Sequence, residues 1–186
     1  NLDSHFGSSI QSIERIYAPC RSGSNNQTIS CIEDVEKIFN RVSQKPANAV
    51  VIGGGFIGVE IAENLIHKGI QTSVFEASDQ VLAPLDPEMA TLVAKEMIRN
   101  NVQLHLGASA QEITDSTVIL SNGVVLPAEM IILAIGVRPD IKLAKDAGLT
   151  IGTRGGIDVD DFNRTSNPDI YAVGDVAEKT DAIDGR

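Results

Sequence analysis

Positive charge is in short supply in this chain: 15 lysines and arginines face 25 aspartates and glutamates, giving a net charge of -10 and a pI near 4.7. A surface of that sign repels phosphate backbones and anionic headgroups, so neither duplex nucleic acid nor a membrane surface is an expected partner. Long apolar runs are missing too. The longest charge-free apolar run near the middle, MIILAIGV, falls far short of the roughly 18 residues a membrane span needs. Cysteine is limited to Cys20 and Cys31, in neither a C-x-x-C nor a metal-type spacing. Both are expected to be inert thiols, and a reducing, cytoplasmic setting fits best. The histidines, His5, His67 and His105, are scattered, which argues against a metal site. Asp158, Asp160 and Asp161 lack the glycine and terminal glutamate of a calcium loop and read as a solvated acidic edge. No Ser–His–Asp or paired-carboxylate arrangement has a sequence basis, which sets hydrolytic chemistry aside. A basic-then-apolar leader is lacking as well. The chain opens at Asn1 rather than Met and is expected to be a fragment or a processed product.

What is present suffices for a real core: 42% of 186 residues are hydrophobic. Residues 1–28 are rich in Ser, Asn and Gly and read as irregular, with one short possible strand over residues 13–17. From Glu33 onward Val35, Ile38, Phe39 and Val42 recur at helical spacing until Pro46 forbids continuation. Strand and helix patterns then alternate. AVVIG reads as a buried parallel strand, IGVEIAENLIHKG as an amphipathic helix closed by Gly69, and QTSVFE as a second strand. Asp86 offers an N-cap, with Pro87 opening a helix that runs to about Asn100, and VQLHL is a third strand. TVILSNGVVLP predicts a hairpin turning at Asn122-Gly123; EMIILAIG is another buried strand, and DIKLAKDAG a brief helix ending at Gly148. The fold class implied is α/β: a Rossmann-like parallel sheet with flanking helices and a β-hairpin excursion.

Chemistry concentrates at one place. Gly53, Gly55 and Gly58 form a G-x-G-x-x-G that leaves a buried strand and opens a helix, the context in which that pattern binds dinucleotides. Gly53 permits the tight turn, Gly55 lets a pyrophosphate approach the backbone, and Gly58 lets helix and strand pack closely. The free N–H groups and dipole of the helix start hold the phosphates. Glu76 ends the second strand 18 residues after Gly58, where such a unit places the acid that accepts bonds from the adenine ribose. A 2′-phosphate there would face a carboxylate. At ~4 Å and an effective dielectric of ~20, each pair of like charges costs ~4 kcal/mol before relaxation. The residues that follow, ASDQ, supply no arginine to soften that cost, so NADH is expected in preference to NADPH.

The stretches VVIGGGFIGVEIAENL, EASDQVLAPLDPEMA, LAIGVRPD and GGIDVDDFNRTSNPDIYAVGDVAE together resemble the FAD-dependent pyridine nucleotide-disulfide oxidoreductases. The NADH oxidase, NADH peroxidase and coenzyme A-disulfide reductase branch is the nearest. The resemblance runs from about Thr28 to Glu178. In that family a nicotinamide domain is inserted into an FAD domain, which implies three parts here: an unmatched segment 1–28, an NAD(H)-binding domain 29–138, and a returning segment 139–186 of an incomplete FAD domain. It also implies site roles. Phe56 belongs to the cofactor loop, Ile57 and Glu60 lie on the nicotinamide side, Leu85 lies over the adenosine, and Gly136 lies against the nicotinamide ribose and carboxamide. Asp175, after the strand-like IYAV, would reach the ribityl-phosphate of FAD. The redox cysteine of the family falls in the absent first half of the FAD domain, and an intact protein would be a homodimer.

Two other readings share these residues. One is the corresponding domain of a ferredoxin-, rubredoxin- or nitrite-reductase-type flavoprotein; the other is a non-catalytic NAD-binding module, for which IYAVGD would have no purpose. The returning strand carries a structural expectation of its own. Residues 170–173, deprived of the rest of their sheet, should pair either with residues 1–28 or with a neighbouring molecule, because an unpaired strand leaves a costly edge.

Overall fold

The structure, a computed structural model, describes residues 15–16, 32–114, 116–136 and 139–180. His5, Cys20, Cys31 and nearly all of the expected irregular segment lie outside those residues, as do 137–138 of the stretch LAIGVRPD. The backbone divides into two compact units, Asn1–Gly136 and Val137–Arg186.

In chain order the first unit runs β1 (Arg15–Ile16), α1 (Ile32–Ser43), β2 (Asn48–Ile52), α2 (Phe56–His67), β3 (Gln71–Glu76), α3 (Pro87–Arg99) and β4 (Gln103–Leu106). It continues with β5 (Ala110–Ile113), β6 (Thr117–Leu120), β7 (Val125–Pro127) and β8 (Met130–Leu133). Five of these strands form one parallel sheet in the order β1-β8-β2-β3-β4. β2 sits between β3 and β8, with Val50 opposite both Ser73 and Ile131. Of the expected strand over 13–17, Arg15 and Ile16 pair with Ile131 and Ile132 at the sheet edge.

The continuous apolar runs of β2 and β8 are explained by burial on both faces. Ala49 and Val51 of β2, with Met130 and Ile132 of β8, share one core with Ala62 and Leu65 of α2 and Met97 of α3. Ile38 and Val42 of α1 pack against that same core. The alternate residues, Val50, Ile52, Ile131 and Leu133, form a second core with Val118, Leu120 and Leu126. That second face is covered not by helices but by an antiparallel sheet in the order β5-β6-β7. The expected hairpin, β6 with β7, joins β5 to form a third layer over that face. Its first strand, β5, escaped the sequence reading because a bulge between Ala110 and Glu112 breaks the alternation that marks a strand.

Helix ends follow the sequence closely. α2 stops at Gly69, whose N–H donates to the Ile66 carbonyl while the Ile70 N–H donates to the Leu65 carbonyl. α3 stops in the same way, with Asn101 in the left-handed region and Val102 bonded back to Met97. This two-bond motif leaves the residue after the turn in the core, and Ile70 and Val102 are both buried. Two details differ from expectation. Asp86 caps α3 through its backbone carbonyl, not its side chain. Val35 and Phe39 of α1 are 54% and 67% exposed, so only half of the expected apolar stripe meets the core.

The second unit holds α4 (Lys142–Asp146) and a short parallel pair, β9 (Ile157–Asp158) with β10 (Ala177–Glu178). Ala144, Ile157, Val159 and Ala172 form its small core. The expected strand over residues 170–173 is not a strand. Tyr171 makes one antiparallel bridge with Arg164, the Thr165 N–H donates to the Ile170 carbonyl, and the Ala172 N–H donates to the Asn163 carbonyl. Among the described residues this segment's partner is thus its own preceding turn; nearly all of residues 1–28 lie outside those described. Folding the chain back on itself satisfies these backbone groups at short range, where loop-closure entropy is small.

If the antiparallel layer completes the core, Leu120→Ala will cost about 3 kcal/mol of unfolding free energy, as for a core leucine. Urea denaturation measures it; a loss within about 0.5 kcal/mol, the range of surface substitutions, would show that this layer does not complete the core.

Candidate functional site

The carboxyl ends of β2, β3 and β8 bring the sequence-singled residues of the first unit to one edge of the sheet. β2 lies beside β8 and connects through α2 to β3 on its other side, and the crevice at the carboxyl ends of such strands is where open α/β sheets bind ligands.

The glycines of the loop have different reasons to be glycine. Gly53 sits at φ +108°, and a Cβ there would lie 2.5 Å from the Ala134 carbonyl oxygen. Its backbone is wedged between β3 and β8: the Gly53 N–H donates to the Phe75 carbonyl at 2.9 Å, and the Ala134 N–H to the Ile52 carbonyl at 2.7 Å. A Cβ at Gly58 would lie 2.0 Å from the Gly53 carbonyl oxygen, so the helix packs directly on the loop. A Cβ at Gly55 would meet nothing within 4 Å. That is the one glycine of the motif whose missing side chain leaves room for something outside the protein. Gly55 is also the N-cap of α2, with no side-chain cap and no acidic residue in the first turn, so the first-turn N–H groups and the positive end of the dipole stay available to an anion. Phe56, 61% exposed, and Ile57 stand on that first turn, and Glu60 follows one turn on, exposed.

Glu76 reaches back from the end of β3 to this loop. The Gly54 N–H donates to its Oε2 at 2.7 Å; the Ser78 N–H and Oγ both lie 2.9 Å from Oε1. Partial burial pushes this carboxyl up, but the amides of Ser78 and Gly54, the Ser78 hydroxyl and the Ala77 amide outweigh it and leave the group below its ordinary 4.5. Leu85 lies in the loop after β3, packed against the helix-side core, and its carbonyl takes a hydrogen bond from Gln80. The loop is tied to the glycine turn by the Leu82 N–H, which donates to the Gly54 carbonyl at 2.8 Å. Gly136 follows β8 at the same sheet edge, exposed and at φ +99°. The glycine loop, Glu76 and the end of β8 are therefore assembled at one edge, and the residues present fit a dinucleotide.

Gly54 and Ser78 were not singled out from sequence. Gly54 is a variable position of the motif, yet a Cβ there would lie 3.0 Å from the Glu76 Cβ and 3.2 Å from Val81. No local pattern announces a contact across 22 residues.

Asp175 belongs to the second unit and is exposed, in the turn where the Ala177 N–H donates to the Gly174 carbonyl. Three residues on, Glu178 forms a lock that sequence also missed. Its carboxylate accepts from the Arg154 N–H at 2.9 and 3.0 Å, the Gly156 N–H at 2.9 Å and the Thr153 hydroxyl at 3.3 Å. A Cβ at Gly152 would strike it at 2.3 Å. Among the acids, Asp160 binds the Phe162 and Arg164 N–H groups and the Arg164 guanidinium, and Asp161 pairs with Lys179. Among the described residues no cluster of His, Cys, Asp or Glu gathers to hold a metal ion, and no helix is long and apolar enough to cross a membrane.

Comparison with known proteins places this geometry. Residues 15–184 match the family model for pyridine nucleotide-disulphide oxidoreductases. The chain belongs to that family, in its NADH oxidase and coenzyme A-disulfide reductase branch. It is 36% identical over 162 residues to an NADH oxidase of Methanocaldococcus jannaschii, covering 84% of this chain but 36% of that protein. The reduced CoADR-RHD of Bacillus anthracis superposes with a TM-score of 0.80 at 41% identity, over 84% of this chain and 29% of that one. The water-forming NADH oxidase of Lactobacillus brevis, bound to NADH, superposes with a TM-score of 0.73 at 29% identity, over 80% of this chain and 33% of that one. Its engineered NADPH-oxidase mutant, bound to NADPH, replaces an aspartate by alanine and the alanine after it by arginine, 18 residues beyond a substituted glycine. The chain thus spans about a third of the length of the relatives it matches.

Three carboxylates, Glu76, Asp160 and Glu178, have folded-state pKa values below their ordinary 4.5, 3.8 and 4.5. For Glu178 the Arg154 amide is the largest cause, and for Asp160 the Arg164 amide. Each stabilises the fold while ionised, in full above its ordinary value, and the contribution is lost as pH falls through the lowered one. The urea midpoint will therefore hold steady from about pH 7 to about pH 5 and drop below that, with Glu178→Gln weakening the acid dependence. A midpoint that rises on acidification would contradict these assignments.

Proposed function

We propose that this chain is the NADH-binding domain of an FAD-dependent oxidoreductase. Residues 29–138 take NADH, and residues 139–186 contribute one side of a flavin site completed by the other half of an FAD domain, in a protein that is a homodimer when intact. The observation that carries the reading is the glycine loop and Glu76 joined at one sheet edge by a 2.7 Å hydrogen bond. With both cofactors bound, NADH supplies a hydride to FAD, and the electrons pass on to a disulfide, a peroxide or oxygen.

The chain's own part is binding and orientation. The first-turn N–H groups of α2, over the open side of Gly55, hold the pyrophosphate anion. Glu76 accepts the adenine ribose hydroxyls and repels a 2′-phosphate. Leu85 covers the adenosine, Phe56 belongs to the cofactor loop, Ile57 and Glu60 line the nicotinamide side, and Gly136 meets the nicotinamide ribose and carboxamide. Asp175 serves the ribityl-phosphate of FAD. The Lactobacillus brevis pair supports the part given to Glu76: the acid and alanine replaced in the NADPH-bound mutant stand 18 and 19 residues beyond a glycine, the spacings of Glu76 and Ala77 from Gly58 here.

Calorimetric titration will show NADH binding at least about tenfold tighter than NADPH, and Glu76→Ser with Ala77→Arg will narrow or invert that ratio by exchanging a repulsive charge for a phosphate partner. Equal affinities in the wild-type chain would refute the reading. A second expectation concerns flavin. The sequence has a single G-x-G-x-x-G, so the chain alone will purify colourless and leave NADH unoxidised. Flavin absorbance in the purified chain would count against that division of labour.

A further inference from the structure

We propose that Asn122 is a spontaneous modification site of the folded chain, where ring closure onto Gly123 turns the side-chain amide into aspartate or isoaspartate and the isoaspartate loosens the antiparallel layer. None of the cofactor residues named above takes part; the site is the tip of the β6–β7 hairpin.

Asn122 and Gly123 are both exposed, and Asn122 is the only asparagine of the chain that a glycine follows. Gly123 lies at φ +85°, and a Cβ there would meet nothing within 4 Å, so solvent reaches its peptide nitrogen and no side chain screens it. The Asn122 side chain folds over that peptide: its Oδ1 accepts the Val124 N–H at 3.1 Å, closing an Asx turn. Among the described residues Nδ2 donates to nothing. The amide thus has a polarised oxygen and a free leaving nitrogen beside the nitrogen that attacks it. One bond stands in the way. The Gly123 N–H donates to the Leu120 carbonyl at 2.9 Å, and such a bond opens when the tip frays, which at an exposed turn costs little.

With that bond open, the Gly123 nitrogen gives its proton to solvent base and attacks Cγ of Asn122. A nitrogen–carbon bond forms, and charge gathers on Oδ1, where the Val124 N–H already points. The Cγ–Nδ2 bond then breaks, Nδ2 takes a proton from water and leaves as ammonia, and a succinimide ring remains. Water reopens the ring. Attack at Cγ gives aspartate; attack at the α-carbonyl gives isoaspartate, whose chain runs through Cβ and is longer by one carbon. Nothing is oxidised or reduced. Aspartate keeps the backbone and an oxygen for the Val124 N–H. Isoaspartate lengthens a loop held by the Gly123 bond and by the Leu120 N–H, which donates to the Val124 carbonyl at 2.8 Å. The strands it joins carry Val118, Leu120 and Leu126 into the second core.

The test holds the full 186-residue chain in mildly alkaline buffer, one sample folded and one in urea, and maps both by peptide mass over time. In the folded sample the mass gain of amide to acid is expected at Asn122 before any other asparagine, more slowly than in urea because the tip must first open. Both isomers are expected, separated by chromatography, with isoaspartate identified by an isoaspartyl methyltransferase. The isoaspartate fraction should unfold at a lower urea concentration than fresh protein, and Asn122→Asp at the same one. A folded sample unmodified at Asn122 while the urea sample converts would overturn the proposal, since the turn would then protect the amide. Conversion to aspartate alone, which is hydrolysis without a ring, would overturn it too. So would an isoaspartate fraction that unfolds together with fresh protein.

Discussion

The backbone of Gly53 passes so close to the end of β8 that no side chain fits between them. The Gly53 amide is bonded to β3, the Ile52 carbonyl just before it to Ala134 after β8, and a Cβ would lie 2.5 Å from the Ala134 carbonyl oxygen. Much follows from that wedge. It fixes where β2 ends and the direction in which α2 starts. It sets Gly58 of the helix against the Gly53 carbonyl and brings the Gly54 amide within reach of Glu76. The start of α2 and the acid Glu76, which follow different strands, become one piece because three strand ends meet backbone to backbone.

The rest of the first unit serves to hold those strand ends still. Helices cover one face of the parallel sheet and the β5-β6-β7 layer covers the other, so β2 and β8 are buried on both sides. Side-chain packing at that density leaves little slack for the edge to move. The second unit has far less core. Among its described residues four buried apolar ones are supplemented by polar locks, chief among them Glu178, whose side chain is only 12% exposed under the loop containing Arg154. Its acidic residues are thus structural fasteners as well as sources of the chain's negative charge.

How much of this was legible in the sequence depended on range. The glycine loop, the strand leading into it, Gly69 and Pro87 are signals spread over a few residues, and each stands where local pattern puts it. Ser78 and Gly54 were invisible because their meaning comes from Glu76, which each meets only after folding. Glu178 was passed over for the same reason: its partners lie 22 to 25 residues away. The strand expected over residues 170–173 failed for a different cause. An apolar run states a preference for pairing but not a partner, and the nearer turn at Arg164 supplied one.

That the family's cofactor is held where the wedge, α2 and Glu76 converge is the centre of the account. Backbone amide NMR of the 186-residue chain, followed through an NADH titration, tests it directly. The amides of Gly54, Gly55, Phe56, Ile57 and Ser78 should shift together along one saturable curve, with those of Arg154 and Gly156 unmoved. Saturable binding that left the glycine-loop amides in place would contradict the account.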